Sequence, residues 1–137
     1  TANALDIKNP KLAVITATEQ MLVGMQACID AALITKMAER GQIKGCVVDG
    51  PISLDLAIDA EAVAIKGFKS PVAGDADCLL FPCIEAANVF YKCNSKFDHD
   101  EVAAVVMGAK VPCVLSSRGD TSKTKLYSIA LAALLAK

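Results

Sequence analysis

Short aliphatic runs alternate with longer amphipathic ones through most of this chain, and that rhythm constrains the fold more than any other feature. Leu12 to Thr16, entered through Asn9-Pro10, reads as a buried strand. Met25 to Arg40 reads as a helix with apolar positions at Met25, Ile29, Leu33 and Met37, stopped at Gly41. The pattern then repeats. Lys44 to Asp49 is a second strand, and Leu54 to Lys66 a second helix, with Ser53 as N-cap after the Gly50-Pro51 turn and Gly67 as its stop. A third strand, Asp77 to Phe81, leads through Pro82 into a helix over Ile84 to Lys92. Strand, helix, strand, helix at this spacing predicts right-handed βαβ units, hence an α/β fold with a largely parallel sheet flanked by helices.

The last third is less regular. Asn94 to Glu101 is the most polar stretch and reads as a loop in preference to a frayed helix end. Val102 to Met107 and Val111 to Leu115 are apolar runs separated by Gly108-Ala109-Lys110; Ser116 to Asp120 is a polar turn. Ser122 to Lys137 reads as a helix with Leu126, Ile129, Ala130 and Ala133 on one face. Neither repeat nor linker divides the 137 residues, so one domain is expected.

Composition narrows the function classes. Hydrophobic residues make up 54% of the chain, 23 of them alanine, while aromatics supply 4% and Trp is absent. Such a chain buries enough to fold, which excludes disorder, and favours close helix-on-sheet packing. No uncharged run reaches the roughly 18 to 20 residues that cross a bilayer. With 14 basic and 15 acidic residues, the net charge of -1 offers no basic surplus for nucleic acid or an anionic membrane. The six cysteines form no C-x-x-C pair and sit mostly in apolar runs, so they read as reduced, buried small hydrophobes. Thr1 to Asn9 has no signal-peptide pattern, and the protein is expected in the cytoplasm.

Ligands in an open parallel sheet bind beyond the carboxyl ends of the strands. The segments following strands are Asp49-Gly50-Pro51, Pro82-Cys83-Ile84-Glu85 and Ser117-Arg118-Gly119-Asp120, which are expected along one sheet edge. A hydroxyl, a guanidinium and free amides at a helix start make an anion site for phosphate or carboxylate. Spacing alone leaves two readings open for Ser117 to Asp120, that site or an ordinary solvated turn with a cap. Asp49 before Gly-Pro is equally open, as contact or turn former. There is no G-x-G-x-x-G and no G-x-x-x-x-G-K-[ST], which removes support for dinucleotide and P-loop chemistry. His99, the one histidine, lies between Asp98 and Asp100 with no second His at ligand spacing, and no metal site is expected. Ser117 follows no nucleophile-elbow pattern.

Several segments together carry a resemblance. Val48-Asp49-Gly50-Pro51, Lys69 to Asp77, Phe81-Pro82 with Glu85-Ala86-Ala87-Asn88 and Tyr91-Lys92, and Gly108-Ala109-Lys110-Val111-Pro112 with Ser117-Arg118 look like the phosphate acetyl/butyryltransferase family. They occur in the family's order over nearly the whole chain and lie nearer the butyryl branch. The resemblance implies acyl transfer between coenzyme A and inorganic phosphate on a two-domain fold like that of isocitrate and isopropylmalate dehydrogenases. It covers the family's carboxyl-terminal half, with residues from about 111 to 137 returning to a first domain that this sequence lacks. Ser117 and Arg118 would hold phosphate or acyl-phosphate oxygens. Asp49, Gly50, Pro51, Pro82, Glu85, Asn88, Lys92 and Gly108 match motif positions at the cleft and would contact substrate or shape it. Coenzyme A enters as substrate, with no tightly bound cofactor, and a homodimer or higher oligomer is implied.

Departures from the family pattern matter as well. The acetyl branch has its acid where Thr124 stands here, so Asp120, the nearest acid in the same turn, is carried as the base. Cys83 and Ala87 replace the usual Asn and Gly. Arg40 and Arg118 are the only arginines, and the region bringing further phosphate-binding arginines is absent. The competing function is a non-catalytic coenzyme A or phosphate-binding module, or a dimerisation module, derived from that family.

Overall fold

A computed structural model describes residues 1–136, which divide into two compact units. The first holds residues 6–87 with Ala2, and the second holds Thr1, residues 3–5 and the chain from Asn88 onward. In the first unit, β1 (Lys11–Ile15), α1 (Gln26–Glu39), β2 (Val47–Ile52), α2 (Leu54–Ile58), α3 (Ala60–Lys66) and β3 (Cys78–Leu80) follow one another. The strands form a parallel sheet of order β2-β1-β3, with Leu12 opposite Val48 and Cys78. This is the expected α/β arrangement.

Because successive side chains of β1 alternate faces, the sheet acquires two cores. Ala13 and Ile15 join Ile52, Leu56, Ala57 and Val72 on the face covered by α2 and the segment after α3. Val14 joins Ala31 and Val48 on the face covered by α1. Ala31, fully buried, lets the α1 backbone approach the sheet closely. Asp77 fastens the start of β1, accepting the Lys11 amide on Oδ2 at 2.8 Å, while its own amide donates to the Lys11 carbonyl at 2.9 Å.

Two expectations here are corrected. The second strand runs Val47–Ile52 instead of 44–49, because Gly45 takes a left-handed φ of 81° ahead of it and Asp49, Gly50 and Pro51 continue the extended backbone. The helix expected over 54–66 is two helices. Asp59, extended at φ -122° and ψ 108°, ends α2, and its Oδ1 accepts the Glu61 amide at 2.8 Å to start α3. Ser53 occupies the N-cap position of α2 without a side-chain cap bond.

The division between units falls within α4 (Ile84–Lys96), which runs four residues past the expected end. Asn94 to Lys96 are therefore helical, and the loop begins at Phe97. The second unit contains β4 (Val105–Val106), β5 (Cys113–Val114) and α5 (Ser122–Leu135). β4 and β5 pair antiparallel, Val105 with Val114 and Val106 with Cys113. Thr121 caps α5, its hydroxyl accepting the Thr124 amide at 3.1 Å. The apolar face read from the sequence is exposed, Leu126 at 62% and Ile129 at 59%, whereas Thr124 and Ser128 are buried. Ser128 explains the inversion: its Oγ accepts the Ala104 amide at 2.9 Å and donates to the Thr124 carbonyl at 2.8 Å. The cysteines also divide. Cys28 is buried, but Cys83 and Cys113 are exposed, so the expectation of buried thiols fails at those two. No described helix is long and apolar enough to cross a membrane.

Candidate functional site

Each unit carries part of the expected residue set. In the first, Asp49 is half-buried in β2 and its Oδ1 accepts the amide of Gly50 at 2.9 Å. Thr35 of α1 donates its hydroxyl to the Gly50 carbonyl at 3.1 Å, and the Gly50-Pro51 peptide bond is cis. Gly50 is where the sheet is tightest. A Cβ there would lie 2.7 Å from the Val14 carbonyl oxygen and 2.8 Å from the Val14 Cβ. Glycine is required by this approach of β1 and β2, a reason that the sequence reading of a turn did not contain. Pro82 and Glu85 are exposed at the entry to α4. At the carboxyl ends of β1 and β3 lies a cavity of about 190 Å³ walled by Val14, Ile15, Ile34, Leu80, Phe81 and Pro82, with Asp30 on its rim. This is where a parallel sheet presents ligand sites. Asp30 carries no motif that sequence reasoning could have used.

In the second unit the turn before α5 is closed from both ends. The Ser117 amide donates to Asp120 Oδ2 at 2.7 Å, and the Asp120 amide donates to the Ser117 carbonyl at 3.1 Å. Asp120 Oδ2 accepts a second bond, from the Tyr91 hydroxyl of α4, at 2.9 Å. Lys96, five residues further along α4, donates to the Gly119 carbonyl at 3.1 Å. Ser117 and Asp120 are half-buried, while Arg118 is exposed and makes no ion pair among the described residues. Burial, followed by the adjoining Asp120 carboxylate, pushes the Tyr91 phenol above its ordinary value. The sequence had placed Tyr91 in a motif without giving it a role. Its neighbour Lys92 lays its ammonium 4.4 Å from the Tyr91 ring centroid.

Beside this turn a cavity of about 240 Å³ is lined by Lys96, His99, Glu101, Asp120, Thr121 and Lys123, among others. Glu101 is tied to α5 by Lys123 and by the Tyr127 hydroxyl at 2.9 Å, and these partners, Lys123 foremost, hold its carboxyl below the usual range. Thr124 is buried, with its hydroxyl 3.1 Å from that of Thr121. Asn88 is exposed on α4, and Gly108, at φ 102°, turns the chain between β4 and β5, a conformation that a side chain rarely adopts.

The three expected segments do not share one sheet edge. Asp49 to Pro51 lie within β2, and Pro82 to Glu85 follow β3 of the same sheet. Ser117 to Asp120 follow β5, which belongs to the separate antiparallel pair. What the structure assembles within one unit is Tyr91, Lys96, Ser117 and Asp120. That constellation has a guanidinium at its tip and a carboxylate inside its turn, a combination able to hold an oxyanion and to take a proton.

Comparison with known proteins identifies the family. A family described as phosphate acetyl/butaryl transferase matches residues 1–133. A phosphate acetyltransferase of Thermotoga maritima is 48% identical over 98% of this chain, and a phosphate butyryltransferase of Clostridium beijerinckii is 50% identical over 98%. These alignments cover 46% and 45% of the two relatives. The crystal structure of a branched-chain phosphotransacylase from Enterococcus faecalis superimposes with a TM-score of 0.86 at 38% identity. It is matched over 97% of this chain and 48% of its own. The chain thus spans under half the length of the relatives it matches.

Proposed function

The chain belongs to the phosphate acetyl/butyryl transferase family, and from that premise we propose that it supplies the carboxyl-terminal half of an enzyme moving an acyl group between coenzyme A and inorganic phosphate. The observation that carries this reading is the Ser117–Asp120 turn, closed by two hydrogen bonds and presenting Arg118 beside the N-terminus of α5. Arg118 and the Ser117 hydroxyl hold the phosphoryl oxygens of the acyl phosphate; the planar guanidinium binds two oxygens at once and offsets charge developing at the carbonyl. Asp120 takes the thiol proton of coenzyme A through Oδ1, since Oδ2 is engaged by Ser117 and Tyr91. The sulfur then forms a bond to the acyl carbon, the bond from that carbon to the phosphate oxygen breaks, and inorganic phosphate leaves. The reverse reaction retraces these steps, with no covalent intermediate on the protein. Asp49, Gly50, Pro51, Pro82, Glu85, Asn88, Lys92 and Gly108 shape the surfaces that receive the substrates. Two copies pair in this reading, and the protein works in the cytoplasm.

A second reading has its own support. Thr124 stands where the acetyl branch has an acid, and its hydroxyl, 3.1 Å from that of Thr121, does not replace a carboxylate as a base. A chain without that acid fits a module that binds coenzyme A or phosphate without turnover. One assay separates the two. Thioester formation from acyl phosphate and coenzyme A is measured for the chain alone and for the chain combined with the amino-terminal half of a relative. The acyltransferase reading expects activity only in combination. Calorimetric binding of coenzyme A with no turnover in either sample favours the module, and full turnover by the chain alone overturns the half-enzyme reading.

A further inference from the structure

The polar cluster around Asp120 includes a residue to which the proposed chemistry gives no part. Tyr91 sits on α4, twenty-nine positions before Asp120, and its hydroxyl reaches Oδ2 at 2.9 Å, the oxygen that also receives the Ser117 amide at 2.7 Å. One carboxylate oxygen thus joins a helix side chain to the backbone of the turn carrying Ser117 and Arg118. A carboxylate held by one amide alone is free to rotate about its terminal torsion, exchanging its oxygens. A second donor, fixed by the helix, removes that freedom and leaves Oδ1 facing away from both donors. Lys96 gives the same turn a second anchor on α4 through the Gly119 carbonyl.

We propose that Tyr91 is a positioning residue for the phosphate site, acting through Asp120 to hold the Ser117–Arg118 turn in its oxyanion-binding form. This inference rests on the acyltransferase reading for its functional consequence, but its geometry stands apart from that reading. A phenol is a donor throughout the neutral range, and burial with the adjoining Asp120 carboxylate pushes this one further up. Tyr91→Phe removes the donor and keeps the ring, including its contact with Lys92.

The test is a double-mutant cycle on the full chain, using Tyr91→Phe, Asp120→Ala and both together. Inorganic phosphate binding is followed by phosphorus NMR, and exchange of the Ser117 amide by proton–nitrogen spectra. In the unmodified chain, added phosphate shifts the Tyr91 Cζ resonance, a response that a tyrosine serving packing alone does not give. Tyr91→Phe weakens phosphate binding by about tenfold, the scale of one hydrogen bond to a charged group, and leaves the unfolding midpoint of the β1–β3 sheet in place. In the Asp120→Ala background the same substitution has no further effect. An undiminished effect in that background, or an unchanged phosphate affinity and Cζ shift, overturns the inference. Should the unmodified chain bind no phosphate at all, its phosphate site fails as read here. Ser117 exchange then decides the Tyr91 inference: about tenfold faster exchange in Tyr91→Phe, absent in the Asp120→Ala background, supports it, and unchanged exchange overturns it.

Discussion

Arg118 and Gly50 illustrate how differently two motif residues can be needed. Arg118 is exposed and without an ion pair among the described residues, so its charge contributes little to folding. Arg118→Ala is therefore expected to leave the urea midpoint unchanged while weakening phosphate binding by about ten- to a hundredfold. Arg118→Lys restores only part of the affinity, because an ammonium lacks the two-pronged geometry. Calorimetry with inorganic phosphate checks both variants, and equal binding by Arg118→Ala removes the proposed site. Gly50 is the opposite case. Its substitution by Ala drives a Cβ to 2.7 Å from a backbone oxygen, which cannot swing aside as a side chain could. The expected cost is about 1 to 3 kcal/mol in urea unfolding. A Gly50→Ala protein of unchanged stability but reduced coenzyme A binding would instead make this glycine a ligand contact. The Val-Asp-Gly-Pro motif was legible in the sequence, but its reason was not, because Val14 lies thirty-six positions away from Gly50.

At the scale of elements, periodicity identified β1, α1 and β3 because each is a short apolar or amphipathic run set off by a nearby Pro or Gly, Pro10, Gly24 and Gly41, and Pro82. It failed where a side chain intervened. Asp59 breaks the helix expected over 54–66 by capping a new one, and an acid at that position does not announce itself in a run of apolar residues. The two short helices are then joined by an ion pair, Lys66 Nζ to Asp55 Oδ2 at 2.7 Å. Hydrogen bonding to Lys66 holds the Asp55 carboxyl at about 2, against an ordinary 3.8. A carboxyl lowered on folding stabilises the fold above its unfolded value, and that contribution fades as pH falls through the folded value. Asp55→Asn is accordingly less stable than the unmodified protein at neutral pH, and the two converge between about pH 4 and pH 2. Both partners are exposed, so the difference is small and shrinks in high salt. Urea unfolding across that range checks the sign, and a gap independent of pH counts against the pair. α5 marks the other failure. Periodicity groups Leu126 and Ile129 on one face, but the face that is buried is the one carrying Ser128, whose hydroxyl accepts the Ala104 amide.

Over the whole molecule, apolar composition and buried core do not coincide. Among the described residues, the buried hydrophobic core lies between Ala13 and Val72. The unit from Asn88 onward is nearly as rich in aliphatic residues, yet α4 buries none and α5 buries only Thr124 and Ser128. Val111 at 66%, Leu115 at 70%, Leu126 at 62% and Ile129 at 59% remain open to solvent. A sequence records that such residues are apolar but not what covers them, because the covering surface belongs to another part of space. This is why the parallel sheet could be read from the chain while the surroundings of the last helix could not. An apolar helix face of this kind, with no charged residue among Leu126, Ile129, Ala130 and Ala133, favours a second copy of itself over water, since two such faces bury one another without stranding a charge. The chain is therefore expected to associate as concentration rises, with a sedimentation coefficient moving from monomer towards dimer. Leu126→Lys combined with Ile129→Lys places two like charges on each face and should hold the protein monomeric at the same concentration. At concentrations where the unmodified chain is itself monomeric, the urea midpoint of this double variant should not fall, because neither side chain contributes to the buried core. Sedimentation that is independent of concentration, or a dimer that survives both lysines, rules out this face as the contact.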